Sequence, residues 1–192
     1  MRGFFLKKLG RKALITLSIF TLVGFPSLGY IIHFYTSDST FTSIFITKHN
    51  LLIELISGSL FGLIAGVIGW KIICLEFMKP VLNKYKNLIS SAELDVSLIV
   101  FISFCAGVGE ETLFRGVLQP LFGIWITSLF FVAIHGYLHP TNWRISIYGI
   151  YLTLVIGVIG YLTELLGLCT AIIAHMVIDI ILFYKLKKPT VT

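Results

Sequence analysis

Charged residues are scarce in this chain, which has 192 residues and only 12% Asp, Glu, Lys and Arg. A soluble domain carries about 25% charged residues and about 45–50% apolar ones. Here 57% of the sequence is hydrophobic, and so few charges cannot supply the polar surface that a domain of this size needs. The composition excludes an ordinary soluble protein and is typical of a protein embedded in a lipid bilayer.

Cysteine is also rare, because the chain has three and no C-x-x-C pair. A disulfide framework is therefore excluded. Cys74, Cys105 and Cys169 lie inside apolar runs, and we expect them to act as small buried hydrophobic side chains.

Six apolar runs predict an all-α, polytopic transmembrane helix bundle of about six spans, since a span needs about 20 apolar residues. The runs cover residues 13–34, 51–75, 97–123, 125–138, 145–166 and 168–186. The fourth run is short for a span, so five or seven spans are the alternatives. Only Gly167 separates the last two runs, which requires a tight turn there.

The runs divide the chain into two parts. Residues 1–96 form an N-terminal two-span region with a charged loop, and residues 97–186 form a second helix core. The loop at residues 76–95 fits either a helix on the membrane surface or an ordinary charged loop. Gly58, Gly62 and Gly66 share one face of span two, and we expect another helix to pack closely there.

The net charge of +6 would suit a nucleic-acid-binding protein, but the basic residues cluster at the ends of apolar runs. Thirteen of the fifteen Lys and Arg residues fall on one side of a six-span bundle, whereas the other side holds only Lys48. The positive-inside rule then puts both termini in the cytoplasm. We expect the protein in the plasma or inner membrane of a prokaryotic cell. We expect the lipid bilayer, and no nucleic acid, as a partner.

Several ionisable side chains lie inside the predicted spans, where each costs about 2.5–3.5 kcal/mol on insertion scales and therefore suggests a function. They are Glu110, Glu111 and Arg115 in span three, His135 in span four with His139 at its end, and His175 and Asp179 in span six. Glu54 and Glu164 lie nearer to span ends, where we expect contact with water.

Span three offers two carboxylates of different kinds. Glu111 and Arg115 are four residues apart, with the acid first, which favours an ion pair of mainly architectural importance. Glu110 lies about 100° further around the helix, so it faces elsewhere without that partner. An unpaired buried carboxylate suits a general base.

Two histidines on other spans complete a polar group. His175 and Asp179 share a helix face, and a carboxylate can fix the tautomer of an imidazole. Glu110, His135 and His175 lie on three separate spans, so they converge only if the helices surround a polar cavity. Such a group is typical of a hydrolytic or metal site.

These residues form three motifs that resemble those of the CPBP family of intramembrane proteases, also called the CAAX-protease and bacteriocin-processing or Abi family. The family motifs are E-E-x-x-x-R, F-x-x-x-H and H-x-x-x-N. Here they lie in order at residues 110–115, 131–135 and 175–179. The resemblance covers about residues 97–184, less than half of the chain.

The resemblance implies roles for the motif residues. Glu110 would activate a water molecule that His135 helps to position, and His175 with residue 179 would stabilise the oxyanion or orient the site. Glu111 and Arg115 would serve the architecture. One position departs from the pattern, because Asp179 stands where the family commonly has Asn. An ionised Asp cannot donate a hydrogen bond, so Asp179 must be protonated, orient His175 or bind a metal.

A divalent metal, zinc, is the cofactor that the resemblance suggests, since the family is commonly labelled metalloprotease. Glu110, His135, His175 and Asp179 would suffice as zinc ligands by type, although no H-E-x-x-H motif occurs. A water activated by Glu and His without a metal is equally coherent, so both mechanisms stay open.

The leading functional hypothesis is an intramembrane endopeptidase that cleaves membrane-associated, lipidated or bacteriocin-type peptides. The first alternative is a non-catalytic membrane immunity or scaffold protein that keeps the same fold. The second is a proton-coupled transporter that uses Glu and His as a relay, which would predict inverted repeats that the sequence does not show.

Overall fold

Every regular element in the described part of the chain, residues 10–187 of a computed structural model, is a helix. The predicted all-α, polytopic bundle is confirmed. The basic residues Arg2, Lys7, Lys8 and Lys188 of the topology prediction lie outside the described residues. The α-helices are α1 (Arg11–Thr36), α2 (Leu51–Ile73), α3 (Lys79–Ile89), α4 (Val96–Leu113), α5 (Gln119–Phe122), α6 (Ile124–Ile134), α7 (Trp143–Leu165) and α8 (Leu168–Lys187).

Side-chain caps begin three of these helices. Asn50 accepts a hydrogen bond from the Leu52 amide at the start of α2, and Asp95 accepts one from the Leu98 amide at the start of α4. Asn142 caps α7 in the same way. Each cap satisfies an amide that would otherwise lack a partner in the first turn.

Five helical stretches in residues 10–187 are long and apolar enough to cross a membrane: α1, α2, the continuous stretch Val96–Phe122, α7 and α8. Their outward faces carry large apolar side chains such as Phe20, Phe34 and Ile126, each about two-thirds exposed. An apolar surface of this extent needs lipid around it. The chain is a multi-pass membrane protein.

The fourth predicted run forms only the 11-residue helix α6, followed by irregular backbone at residues 135–142. This segment nevertheless extends along the length of the bundle, antiparallel to α7. Gly160 of α7 lies against Ile124 at the start of the segment, whereas Gly149 lies against Tyr137 near its end. A short helix plus an extended stretch thus replaces the expected span.

The described ends of the chain lie at the same end of the bundle. Arg11, at the start of α1, pairs with Asp95 before α4 at 2.8 Å. The Leu98 amide and the Arg11 guanidinium together hold the pKa of Asp95 below its usual range. Leu186, near the end of α8, packs on a cluster of buried apolar residues at this end of the bundle. This arrangement fits an even number of passes, and the cytoplasmic side for both termini stays a prediction.

The charged segment between α2 and α4 is helical over Lys79–Ile89. Its apolar face packs against the end of α2 and the start of α7, through a cluster that comprises Ile73, Met78, Val81, Leu82, Ile145 and Tyr148. Its lysines face outward, so α3 is an amphipathic helix across one end of the bundle.

The glycine face of α2 packs closely against α8, as predicted. A Cβ atom at Gly58 would lie 2.6 Å from the Thr170 carbonyl oxygen, and one at Gly62 would lie 2.6 Å from that of Ala174. Such distances leave no room for a side chain. The glycines therefore set the depth at which α8 lies in the bundle.

Two expectations about burial are wrong. Glu54 is 0% exposed, although its position near a helix end predicted contact with water. Its carboxylate is covered by the tight turn between α7 and α8, where Gly167 adopts a φ of +133°. Cys74 is exposed because it lies just after α2, at the end of the bundle, while Cys105 is buried and Cys169 is half-buried.

The topology is testable by labelling single introduced cysteines in intact cells, in a variant without the native cysteines. A membrane-impermeant maleimide should label Ser39→Cys, in the loop after α1, from outside. Lys84→Cys on α3 should react only after the membrane is permeabilised. Labelling of both positions from the same side would contradict the crossing of the membrane by α2 and, with it, the predicted topology.

A methyl group at Gly62 should loosen the contact between α2 and α8. Overpacking of this kind costs about 1–3 kcal/mol, so Gly62→Ala should lower the melting temperature of the purified protein. Gly24→Ala is the matched control, because a Cβ there meets only the Phe20 ring of its own helix, at 3.5 Å. Equal melting temperatures for the two variants would refute the role given to Gly62.

Candidate active site

A cavity of about 300 Å³ lies between α1, α4, α7, α8 and the end of α6. Its polar lining includes Glu110, His135, His175 and Asp179, which the sequence analysis singled out. About 30 Å³ per water molecule leaves room for several waters or for a short piece of peptide backbone. The four side chains therefore face one shared space.

Small residues on α4 bring its neighbours close enough to form this cavity. Gly109 lies against the backbone of Thr21 in α1, and Gly107 lies against the backbone of Ile172 in α8. Directly after Leu113 the helix widens to a π-helical turn at Phe114–Leu118 before it continues as α5. Such turns occur often at functional sites, and this one carries Arg115.

Glu110 and His135 form the first pair in the cavity, with 3.3 Å between Glu110 Oε2 and His135 Nε2. His135 Nδ1 lies 2.7 Å from the Phe131 carbonyl oxygen, which can only accept, so Nδ1 carries a proton. Nε2 then faces the carboxylate, and one proton or a water molecule must lie between them to avoid repulsion. The His135 side chain is 30% exposed and within reach of water.

His175 forms the second pair through both ring nitrogens. Nδ1 donates to Glu111 Oε1 at 2.6 Å, and Nε2 lies 3.7 Å from Asp179 Oδ2. The short bond to Glu111 fixes the ring orientation and leaves Nε2 directed at the cavity. A proton on Nε2 would be a donor to a negative oxygen there.

Glu111 joins this histidine to an arginine. Its second oxygen pairs with Arg115 Nε at 3.1 Å, and both side chains are fully buried. Arg115 Nη2 also reaches the Ile156 carbonyl oxygen at 3.5 Å. The predicted Glu111–Arg115 pair is present, but the contact from Glu111 to His175 was not foreseen, since 64 residues separate them.

Phe131 separates the two pairs. Its ring stacks on His135 at a centroid distance of 4.3 Å and meets His175 edge-on at 5.8 Å. The Arg115 guanidinium lies 5.0 Å from its centroid on another side. The F-x-x-x-H spacing explains the first contact, because residues four apart share a helix face.

Two other polar residues stand apart from the cavity. His139 is exposed, and its Nδ1 accepts a hydrogen bond from the Thr141 amide. Glu164 is exposed at the opposite end of the bundle and accepts from Gln119. Neither lines the cavity, and the exposure of Glu164 agrees with its predicted contact with water.

The side chains do not form a ready-made zinc site. Within residues 10–187, no three His, Cys, Asp or Glu side chains are grouped so that they could hold a metal ion. His175 Nδ1 and His135 Nδ1 are each committed to protein acceptors. Zinc binding stays a prediction from the sequence, and the steps proposed below involve only the side chains of this chain.

Comparisons with known proteins give matches over part of the chain. Residues 92–181 match the family described as type II CAAX prenyl endopeptidase Rce1-like. The chain is also 32% identical over 90 residues to the uncharacterized protein YpbD of Bacillus subtilis (strain 168). That alignment covers 46% of this chain and 46% of YpbD, so it spans about half of the relative. No solved structure matches the chain.

The resemblance inferred from the three motifs is therefore confirmed over residues 92–181, at the level of a CAAX-type intramembrane protease family. Such a family implies a peptide or protein substrate and a membrane environment. The matched region contains Glu110, His135, His175 and Asp179 of the cavity lining.

Removal of the arginine should damage the fold. Arg115→Ala would leave Glu111 buried with only a histidine partner, and breaking a buried pair costs about 3–5 kcal/mol. We expect less folded protein after extraction in detergent, measured by size-exclusion chromatography. The double variant Arg115→Leu with Glu111→Gln should recover part of it, because no buried charge is left unpaired. Normal folding of Arg115→Ala would contradict this structural role.

Proposed function

We propose that this protein is an intramembrane endopeptidase in which Glu110 and His135 activate a water molecule. The proposal rests mainly on one observation, the 3.3 Å pair of Glu110 and His135 in a cavity that His175 Nε2 also faces. Hydrogen bonds between catalytic groups are often long in the absence of substrate, so a water between the two side chains is compatible with this distance.

In the first step, Glu110 takes a proton from the water, and the resulting hydroxide attacks the carbonyl carbon of the scissile peptide bond. His135 accepts or donates a hydrogen bond to that water through Nε2, because its Nδ1 is held by Phe131. The carbonyl oxygen becomes an oxyanion. A protonated His175 Nε2 donates to it, with Glu111 as counter-charge on the other side of the ring.

In the second step, Glu110 returns the proton to the leaving amine nitrogen as the C–N bond breaks. One water is consumed, and a carboxylic acid and an amine are formed. A single carboxylate can serve first as base and then as acid when it is close to both atoms. Glu110, whose side chain is 11% exposed, suits this role because bulk water does not compete for its proton.

The substrate would be a membrane-associated, lipidated or bacteriocin-type peptide. Its backbone must be extended to reach the cavity, whose polar groups lie deep between helices. A cavity lined mostly by apolar residues of α1, α7 and α8 favours apolar side chains around the scissile bond. We place the site in the plasma or inner membrane, with both termini in the cytoplasm.

Glu110→Gln keeps the shape of the side chain and removes the base. We expect cleavage of a panel of membrane-anchored reporter peptides by the purified protein in liposomes to fall by at least about 10³-fold. The melting temperature should stay close to that of the wild type. Glu164→Gln is the matched control, because that carboxylate lies outside the cavity.

Asp179→Asn tests the departure from the family pattern. If Asp179 only orients His175, the amide should keep much of the activity; if it is an anionic metal ligand, metal content and activity should fall together. Metal is measured by elemental analysis of the purified protein. A wild type that cleaves nothing, or a Glu110→Gln protein that cleaves equally well, would refute the protease and favour an immunity, scaffold or transport protein.

A further inference from the structure

The wall of the catalytic cavity beside Asp179 is built from tyrosines. Tyr137 and Tyr148 both line the cavity, with 5.8 Å between their ring centroids. Tyr85 of α3 lies 6.3 Å from Tyr137 on its other side. None of these tyrosines belongs to the three motifs.

The backbone around Tyr137 is held firmly, two residues after His135. Gly136 adopts a φ of +75°, which turns the chain out of α6, and the Tyr137 amide donates to the Val132 carbonyl at 3.2 Å. The Tyr137 carbonyl then lies against Gly149 of α7, where no side chain would fit. This fixed backbone holds the ring in one place relative to His135.

The hydroxyls of Tyr148 and Tyr151, two tyrosines of α7, face away from the site. Tyr151 donates to the Ala65 carbonyl of α2 at 2.6 Å. The Tyr148 hydroxyl lies 3.3 Å from the position of a Cβ on Gly69, so it also faces α2. Tyr137 lines the same cavity as Glu110 and His175, so it is the tyrosine that we consider as a donor.

Tyr137 lies beside Tyr85 of α3, and both residues line a second cavity together with Asp179. Tyr137 and Asp179 interact electrostatically, and the Tyr137 hydroxyl is hydrogen-bonded to that of Tyr85. This second cavity has a volume of about 250 Å³ and lies beneath α3. A phenolic hydroxyl rotates freely, so Tyr85 can become the donor in this bond and release the Tyr137 proton for another acceptor.

The proposed reaction needs such a donor. An oxyanion in peptide hydrolysis is stabilised by donors placed in advance, and His175 Nε2 supplies one. The position where the family commonly has an Asn amide holds Asp179, whose carboxylate cannot donate when ionised.

We propose that Tyr137 supplies the second oxyanion donor of this protease, with Tyr85 as the positioning residue that donates to the Tyr137 oxygen. The inference rests on the proposed function, and it assigns to Tyr137 the donor role that Asp179 cannot fill. No bond to Tyr137 is made or broken, because the hydroxyl keeps its proton throughout.

The test is a comparison of tyrosine-to-phenylalanine variants in the liposome cleavage assay. Removal of one oxyanion donor lowers kcat by about 10²–10³-fold, so Tyr137→Phe should lose at least about 100-fold in kcat with little change in KM. Tyr85→Phe should lose less, about 3- to 10-fold, because the donor itself remains. Tyr161→Phe is the matched control, because Tyr161 is exposed on α7 and lies outside the cavity, and this variant should cleave like the wild type.

A rescue variant separates a donor from a merely structural ring. Asp179→Asn in the Tyr137→Phe background adds an amide donor at the same wall and should raise kcat by at least about 10-fold over Tyr137→Phe. Asp179→Asn in the wild-type background should not raise kcat. Failure of the rescue, with the melting temperature of the double variant unchanged, would overturn the donor role.

The remaining outcomes are distinct. If Tyr137→Phe keeps kcat within about 3-fold while Glu110→Gln is inactive, this inference fails and the proposed function stands. If Glu110→Gln cleaves like the wild type, the proposed function itself fails. Should Tyr137→Phe not fold, Tyr85→Phe decides, and an unchanged kcat in that variant counts against the inference.

Discussion

The buried carboxylate of Glu111 is the interaction on which the site depends. One oxygen pairs with Arg115 one helical turn later, and the other accepts the proton of His175 Nδ1 from α8. A buried arginine without a partner would cost several kcal/mol, and so would a buried carboxylate. Because each group compensates the other two, α4 and α8 are fixed in one register. The orientation of His175 is therefore a consequence of the pairing of the buried Glu111 carboxylate with Arg115 and His175.

The glycine contacts make this charge network possible. Gly58 and Gly62 let α8 approach the backbone of α2, while Gly107 brings α4 against the same helix from the other side. In lipid, no hydrophobic effect drives one helix toward another, so close backbone contact and polar pairing must supply the association. Helix α8 is thus held by close backbone contacts with α2 and α4, and by the hydrogen bond from His175 to Glu111.

The sequence predicts the helices and the motif residues well, because apolar length and four-residue spacing are local properties. It predicts that Glu111 pairs with Arg115, which is such a local relation. It cannot predict that Glu111 also bonds His175, or that Tyr137 and Asp179 line one cavity, since both relations depend on how distant helices pack. The full burial of Glu54 was misjudged for the same reason, because the turn at Gly167 covers it. The short helix α6 also departs from its apolar run, since Gly136 and the following residues leave the helix.

The early end of α6 links the architecture to the need for water. His135 is the residue after the last residue of α6, and it lies beside Glu110 in the last turn of α4. The irregular backbone at residues 135–142 would leave carbonyl and amide groups without partners in hydrocarbon. Such backbone is tolerated at membrane depth only where protein or water surrounds it. Water in the cavity would satisfy such backbone groups, would reach the exposed edge of His135, and would supply the second reactant of the proposed hydrolysis to Glu110. On the proposed function, the interrupted helix and the polar residues therefore serve one physical need, the access of water to the inside of the bundle.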